Sequence, residues 1–492
     1  MGMGNGVWGE TRDNEFGSAK SPQSASYANG NRRNLASPAS PASPASSAPL
    51  PPKAPVSPNP ITDPTILHQS LLAGLPFWSA VRGEVAFPCQ PDRQKADLQR
   101  LQQLFDLLGN PLSSSEWGQF CQTFARKLEE GSRDRQWLVF SYETAPPCQA
   151  GMTGQLSLVA DRPKIHGTWS LPCVPTLIDR YVEQFQQLFA ILGHPLSDRE
   201  RISFGRGLAA ELAKGYLASP YSRLLVEYQP ASPPRKGLAC RAATTIETLA
   251  ERCDRLAANN DEPFFGRDPD AKAIAVARTL EGNPATTPIL DIGAGIGRNT
   301  LPLARLGHPV DAIELSGEFV AKLQREADGE RLKVRGRVGD ILDEQLSLLP
   351  QRYRLVVLSE VIPHFNSTEQ LRQLMEKLWE AIAPGGWLLL SLFLAVPGYE
   401  PDLLAQQMSR VTDSYIFTRS QLDEAMAGLP LEIVSEESVV EYERTHLAPE
   451  AWPPTDWFVP WAKGDRLFPL SEGVAPIELY WVLCRRGSLV KC

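Results

Sequence analysis

The sequence has no paired-cysteine motif. Its eight cysteines are Cys89, Cys121, Cys148, Cys173, Cys240, Cys253, Cys484 and Cys492. None sits in a C-x-x-C pair, which argues against zinc ribbons and thioredoxin-like sites and leaves reduced thiols as the plain reading. Positive charge is not in excess either: the formal net charge is -8 and the pI is near 5.5. Broad nucleic-acid binding is therefore not expected. No apolar run is long enough to span a bilayer, so no membrane role is expected. The opening "MGMGNGVWGE" shows no charged segment followed by an apolar one, and position 6 is not Ser or Thr. Neither a secretory signal nor a myristoylation pattern is visible, and a cytoplasmic protein is expected. What the chain does have is 42% hydrophobic residues over 492 positions, enough for about two to four packed domains.

Composition divides the chain. Residues 1–64 are rich in Gly, Asn, Ser, Ala and Pro, including "ASPASPASPASSAPLPPKAPVSPNP", and are expected to be a disordered, partly polyproline-like tail. An internal repeat follows. "LQQLFDLLGNPLS" (Leu101–Ser113) is echoed by "FQQLFAILGHPLS" (Phe185–Ser197). The same offset aligns Gly83, Pro88 and Cys89 with Gly167, Pro172 and Cys173. "LVFSYE" answers "LLVEYQ" after a small insertion. Each unit reads strand, helix, helix, strand. An apolar stripe at Leu98, Leu101, Leu104, Phe105 and Leu108 marks the first helix, and "GNPLS" and "GHPLS" supply a glycine stop and a serine start. Residues 65–230 are thus expected to be an α+β domain of two βααβ repeats, units about 76–145 and 160–230. Cys89 and Cys173 are equivalent, but His194 is matched by Asn110, so burial rather than metal binding is expected. "QPASPPRKG" opens a linker over 231–244, and a last domain is expected over 245–492. In that last part, "TIETLAERCDRLAANN" places Ile246, Leu249, Cys253 and Leu256 on one helical face.

From Pro288 onward strands and helices alternate, which gives a doubly wound α/β sheet with ligands at the carboxyl ends of its strands. The strands are expected at "PILDI", "PVDAIEL", "RLKVRGRV", "YRLVVLS", "GWLLLSLF", "LEIVSEE" and "IELYWVLC". A helix before the fifth starts with a Ser367-x-x-Gln370 capping box and ends at Pro-Gly-Gly. In "PILDIGAGIGRNTLPLARLG", Gly293, Gly295 and Gly297 follow Asp291 off a strand and lead into a helix. Glycine there permits a tight turn and a close backbone approach. A dinucleotide fingerprint would put its third glycine at 298, which is Arg298; the spacing is G-x-G-x-G instead. Glu314 ends the next strand, where a carboxylate can accept two hydrogen bonds from a ribose diol. Asp340 follows the third strand beside apolar Ile341, a pair suited to the amino edge and face of an adenine.

"ILDIGAGIGRNT", "AIEL", "VGDIL", "YRLVVLSEVIPHF" and "APGGWLLLS", in that order, resemble the motifs of class I (Rossmann-like) S-adenosylmethionine-dependent methyltransferases over roughly Asp261 to Arg485. "GIGRNTLPLA" and "DRLFPLSEGVAPIELYWVL" are similar, less specifically, to small-molecule methyltransferases of the tellurite-resistance-like type. The resemblance implies a seven-stranded, mostly parallel sheet with an antiparallel last strand, and S-adenosyl-L-methionine as cofactor. It implies that Asp291 and the loop Gly293–Gly297 face the methionine portion and that Arg298 and Asn299 help hold its carboxylate, although Arg298 also reads as a surface helix residue. It implies that Glu314 and Leu315 meet the ribose, that Asp340 and Ile341 bracket the adenine, and that Ser359 and Glu360 line the cleft near the sulfonium. The N-terminal repeats resemble no known family.

Methyl transfer from a sulfonium is an in-line displacement in which the sulfur departs neutral. A base is needed only where the acceptor must lose a proton. His364, just past the fourth strand, is the candidate base or acceptor orienter; a packed loop histidine is the other reading. Phe393–Phe417 and His446–Phe468 are candidate acceptor-pocket segments. In the second, Trp452, Trp457 and Trp461 either wall an apolar acceptor or pack onto the sheet. "DEPFFGRD" is a candidate cover through Phe264 and Phe265. The expected acceptor is a small molecule. A protein acceptor gripped by the repeats and a non-catalytic nucleoside-binding scaffold are the other readings.

Overall fold

Two β-sheets organise the chain, one in each half. The computed structural model describes residues 59–144, 152–232, 237–259 and 266–487. The expected tail thus lies outside the described residues up to 58. Residues 59–64 do not extend it: Pro60 bridges Val474, the Ile61 amide donates to the Val474 carbonyl at 2.9 Å, and Asp63 caps the first helix. Phe264 and Phe265 also lie outside the described residues.

In the first half the elements run α1 (Pro64–Gly74), β1 (Ala80–Pro88), α2 (Gln94–Leu107), α3 (Ser114–Arg133), β2 (Trp137–Thr144), β3 (Met152–Val159), β4 (Gly167–Pro172), α4 (Ile178–Ile191), α5 (Asp198–Ala218), β5 (Arg223–Pro230) and β6 (Leu238–Thr245). The six strands form one antiparallel sheet in the order β3-β2-β1-β4-β5-β6. Along β1, Val81, Val85 and Phe87 are buried, while Arg82 is exposed and Glu84 half-buried, the period-two pattern of a sheet with one covered face. Helix residues meet that face edge to ring: Phe124 on Phe87, Phe185 on Trp169, Phe189 on Tyr228. Gly109 and Gly193 take left-handed φ values of 69° and 81° past α2 and α4, and Ser113 and Ser197 open α3 and α5 with reciprocal capping boxes.

At the sheet's middle Gly83 pairs with Gly167 across β1 and β4, and the Tyr142 and Tyr228 hydroxyls meet at 3.1 Å above them. A Cβ at Gly167 would lie 2.2 Å from the Tyr228 hydroxyl, so only glycine fits there. Two strands were not expected. β3 lies wholly between the two expected units, and β6 occupies the second half of the expected linker, completing the sheet edge along β5.

The second half comprises α6 (Leu249–Asn259), α7 (Ala271–Arg278), β7 (Ile289–Ile292), α8 (Thr300–Arg305), β8 (Val310–Glu314), α9 (Gly317–Gly329), β9 (Val334–Val338), β10 (Tyr353–Leu358), α10 (Thr368–Ala381), β11 (Ile382–Ala395), α11 (Leu403–Val411), β12 (Ile416–Phe417), α12 (Arg419–Met426), β13 (Leu431–Ser438), α13 (Val439–His446), α14 (Phe458–Ala462) and β14 (Ile477–Arg486). The sheet order is β13-β14-β11-β10-β7-β8-β9, with the two-residue β12 added beside β11. β14 runs antiparallel to both neighbours; the pairs among β11, β10, β7, β8 and β9 are parallel. The four residues of β7 are all buried, as a parallel strand covered on both faces must be.

Three details differ from expectation. The Pro-Gly-Gly after α10 does not end in a loop: β11 begins at Ile382 and takes it in, with a register shift where Tyr353 pairs with Ile382. Ser367 caps α10 by accepting from the Gln370 amide, but the Gln370 side chain accepts from the Asn366 amide, so the box is not reciprocal. Ile246 lies ahead of α6 and is half exposed.

Gly167→Ala should cost about 1–3 kcal/mol of stability, the usual penalty for an overpacked site, read as a lower urea midpoint at unchanged slope.

Candidate active site

The glycine turn between β7 and α8 is built from backbone that side chains cannot copy. Gly293, Gly295 and Gly297 have φ of 70°, 53° and 102°. They differ in what surrounds them. A Cβ at Gly293 would strike Val361 at 2.3 Å and one at Gly297 would strike Leu323 at 2.5 Å, so these two let the turn pack against its neighbours. A Cβ at Gly295 would meet nothing within 4 Å, because this glycine opens on a cleft of about 440 Å³.

Of the residues expected to form the site, Asp291, Gly293, Gly295, Arg298, Asn299, Glu314, Leu315, Asp340, Ile341, Ser359, Glu360 and His364 all line this cleft. Gly297 does not; its place is inside the turn. Glu314, at the end of β8, braces the loop: Oε2 accepts from the Gly295 amide at 2.9 Å and Oε1 from the Ser316 amide at 3.0 Å. Each oxygen keeps a lone pair for a further donor. Burial pushes its carboxyl up from the usual range, against the pull of those amides. Asp340 accepts from the Leu342 amide at 2.8 Å, a tight turn that sets it beside buried Ile341.

Asp291 is only 2% exposed, and burial pushes its carboxyl up to about 7, although the Thr300 hydroxyl donates to it at 2.5 Å. Arg298 is not a surface residue. Its side chain is only 10% exposed and bridges Asp270 at 2.8 Å and Glu360 at 2.6 Å, with Ser359 at 3.3 Å. Burial pulls its basicity down, but the two carboxylates outweigh that and hold it above its ordinary value. Asn299 donates to the Asp270 carboxylate at 2.7 Å and accepts from the Asp270 amide at 2.9 Å. Asp270, Arg298, Asn299 and Glu360 thus form one buried network, with Glu360 itself at a left-handed φ of 59°.

The opposite wall carries residues the sequence did not suggest. Ala218 to Tyr221, the turn between α5 and β5, line the cleft together with Thr248 to Ala250 and Cys253. The Tyr221 hydroxyl lies 2.8 Å from His364 Nδ1 and donates to Asp413 Oδ1 at 2.9 Å. Asp413 also pairs with Arg252 at 3.0 Å, whose guanidinium sits 4.4 Å from the centre of the Tyr221 ring. Burial works to raise the Asp413 carboxyl, but Arg252, His364 and Tyr221 outweigh it and hold Asp413 well below the usual range. No sequence signal joins Tyr221 to His364 and Asp413, which lie 143 and 192 positions away. The three tryptophans do not line the cleft. Trp461 is buried and donates to the Asp413 carbonyl at 2.8 Å, and Trp452 and Trp457 pack about Phe458. Their role is support for the Asp413 corner.

A family model described as a methyltransferase domain matches residues 289–386, the span from the glycine turn to the start of β11. Residues 289–386 thus carry a methyltransferase domain. Solved structures similar to this domain include a geranyl diphosphate methyltransferase in complex with GPP and sinefungin, 14% identical, covering 48% of this chain and 99% of that one at a TM-score of 0.37. A geranyl diphosphate C-methyltransferase from Streptomyces coelicolor A3(2) is 15% identical, with 48% and 97% covered and the same TM-score. A putative sarcosine dimethylglycine methyltransferase from Galdieria sulphuraria is 13% identical, with 48% and 86% covered at 0.34. No curated protein matches the chain. Among the described residues no helix is long and apolar enough to cross a membrane, and no three His, Cys, Asp or Glu side chains group to hold a metal.

The methyltransferase domain carries a measurable charge signature at Asp291. Its folded pKa lies above its unfolded value, so the folded state holds the extra proton. Stability is then greatest below about 4 and is lost as pH climbs from there to about 7. Asp291→Asn should therefore raise the melting temperature of the nucleoside-free protein at pH 8 and change it little at pH 4, followed by thermal unfolding at both.

Proposed function

We propose that the methyltransferase domain transfers the S-methyl group of S-adenosylmethionine to a small-molecule acceptor. The observation that carries this reading is Gly295: a position with left-handed backbone, an amide fixed by Glu314 and open space where a side chain would stand. That is a cradle for a close-lying ligand, and the residues around it suit a nucleoside sulfonium. Glu314 and Leu315 meet the ribose, Asp340 and Ile341 the adenine, and Asp291 with the Gly293–Gly297 turn the methionine end. Arg298 and Asn299 face the methionine carboxylate, and Ser359 and Glu360 lie towards the sulfonium. Asp291, Glu314, Asp340 and Glu360 outnumber Arg298 along the cleft, which favours a cationic guest.

Bound S-adenosylmethionine supplies a methyl group on a sulfur that leaves neutral. The protein aligns the acceptor behind that methyl and keeps water out. His364 stands where the acceptor enters and serves as base or orienter. The small cleft and its enclosing turn at Ala218–Tyr221 support a small acceptor. We further read β1-α2-α3-β2 and β4-α4-α5-β5 as two copies of one βααβ unit. The pairing of Gly83 with Gly167 and of Tyr142 with Tyr228 supports this, since each residue meets its own sequence equivalent.

Two substitutions test the cradle. Asparagine tolerates left-handed backbone, so Gly295→Asn should fold with a melting temperature near that of the unsubstituted protein. It should bind S-adenosylhomocysteine at least about tenfold more weakly by calorimetry, a change of about 1.4 kcal/mol. Glu314→Gln should weaken binding of the same nucleoside. Unchanged affinity in both would remove the reading.

A further inference from the structure

We infer that the acceptor end of the cleft is assembled by both halves of the chain, and that Tyr221 and Asp413 hold His364 with its proton on Nδ1. Nε2 is then the base for an uncharged acceptor bearing an O–H or N–H. This rests on the methyltransferase reading above and specifies the acceptor class and the residues that select it.

The argument begins with proton counting. Three polar atoms meet at one point: Tyr221 Oη, His364 Nδ1 and Asp413 Oδ1, with separations of 2.8 Å, 2.9 Å and 3.3 Å. Asp413 is ionised, held so by Arg252, which reaches Oδ2 at 3.0 Å and also Oδ1 at 3.3 Å, and has no proton to give. The Tyr221 hydroxyl is the only donor available to close its 2.9 Å contact with Asp413, and it has one proton. The 2.8 Å contact between Tyr221 and His364 must then be closed by a proton on Nδ1, which also points the N–H dipole at the carboxylate. The reverse tautomer would leave two oxygen lone pairs facing each other at 2.9 Å in a buried site. With Nδ1 protonated, neutral His364 carries an unprotonated Nε2. The ring lines the cleft, its side chain is 25% exposed, and Nε2 has no protein partner among the described residues.

A base so placed suits an acceptor that must shed a proton. As the acceptor oxygen or nitrogen forms its bond to the methyl carbon, the carbon–sulfur bond breaks and its electron pair stays on sulfur. The acceptor's proton passes to Nε2. The positive charge that began on sulfur ends on an imidazolium beside Asp413, and the proton then leaves to solvent. No oxidant, reductant or further reactant is required. Tyr221 and Asp413 touch neither methyl donor nor acceptor in this scheme; they are positioning residues.

The same wall argues against a phosphorylated acceptor. Arg298 is the only Lys or Arg among the described residues lining the cleft, and Asp270 and Glu360 already neutralise it. The start of α6 also opens on the cleft, but Thr248 and the Glu251 carboxylate cap each other there. A diphosphate would find carboxylates where it needs donors, and no metal-holding group among the described residues would bridge the two.

The test uses the full chain labelled with 15N-histidine and saturated with S-adenosylhomocysteine. Failure of that nucleoside to bind would sink the underlying reading rather than this one. Once it is bound, long-range nitrogen–proton spectra should show His364 as the Nδ1–H tautomer, assigned by the signals lost in His364→Gln. Asp413→Asn, or Tyr221→Phe should the first variant fail to fold, should raise the Nε2–H population while nucleoside affinity stays unchanged. An Nε2–H tautomer in the unsubstituted complex, or populations that neither variant moves, overturns the proposal. Titration of geranyl diphosphate and of inorganic pyrophosphate into the same complex, with and without Mg2+, should give no saturable binding. Saturable binding of either overturns the acceptor class.

Discussion

A guanidinium buried between two carboxylates holds the cleft in shape. Arg298 leaves the glycine turn and reaches Asp270, ahead of α7, and Glu360, beyond β10. Three separate stretches of chain are tied at one charge. Such a triad gains little over an apolar core of the same volume, but removing Arg298 strands both carboxylates without a cation, at a typical cost of about 3–5 kcal/mol. The arrangement therefore contributes definition more than stability. It fixes the height of the turn above the sheet and keeps Glu360 in a backbone conformation that side chains rarely adopt. Asn299 closes the same network through Asp270, so the residues next to the turn are committed to one another.

The second constraint is the junction between the halves. α6 leaves the six-stranded sheet at β6 and carries Arg252 to Asp413, while the Ser219 hydroxyl donates to the Glu247 carbonyl at 2.6 Å and pins the turn that bears Tyr221. Farther out, Thr176 donates to Gln407, and Arg410 lies 4.0 Å from the centre of the Tyr216 ring. The cleft wall is thus held by contacts made on both sides of it. A neutral phenol, a carboxylate and an imidazole share the innermost position, with the tryptophan indole of α14 holding the Asp413 backbone carbonyl behind them.

The parts of this molecule that were legible in its sequence are those whose cause is local. Three glycines after an aspartate read as a tight turn with a close backbone approach, and their φ values are ones that side chains rarely adopt. Residues at strand ends landed around one cleft because the alternation of strand and helix dictates where strand ends gather. The stretches that misled are those whose structure is supplied by a neighbour. "LACRAATT" has little strand propensity of its own, and the open edge of β5 recruits it. Pro384-Gly385-Gly386 reads as a break, yet pairing with β10 carries the strand through it. The tryptophan-rich loop reads as a ligand wall because aromatic residues serve either purpose, and here they support Asp413 from outside. Tyr221 gave no sign at all, since a tyrosine after a proline becomes informative only when its distant partners are known.

The turn from Ala218 to Tyr221 has a consequence for how such an enzyme diversifies. It belongs to the six-stranded half by connectivity, yet it forms the ceiling of a chamber whose floor belongs to the other half. Changes that accumulate in that half can reshape what the chamber admits without altering any group on its floor. Under the proposed function, part of what selects the acceptor is thereby inherited on a different stretch of the polypeptide from what grips the nucleoside, and the one can change while the other stays fixed.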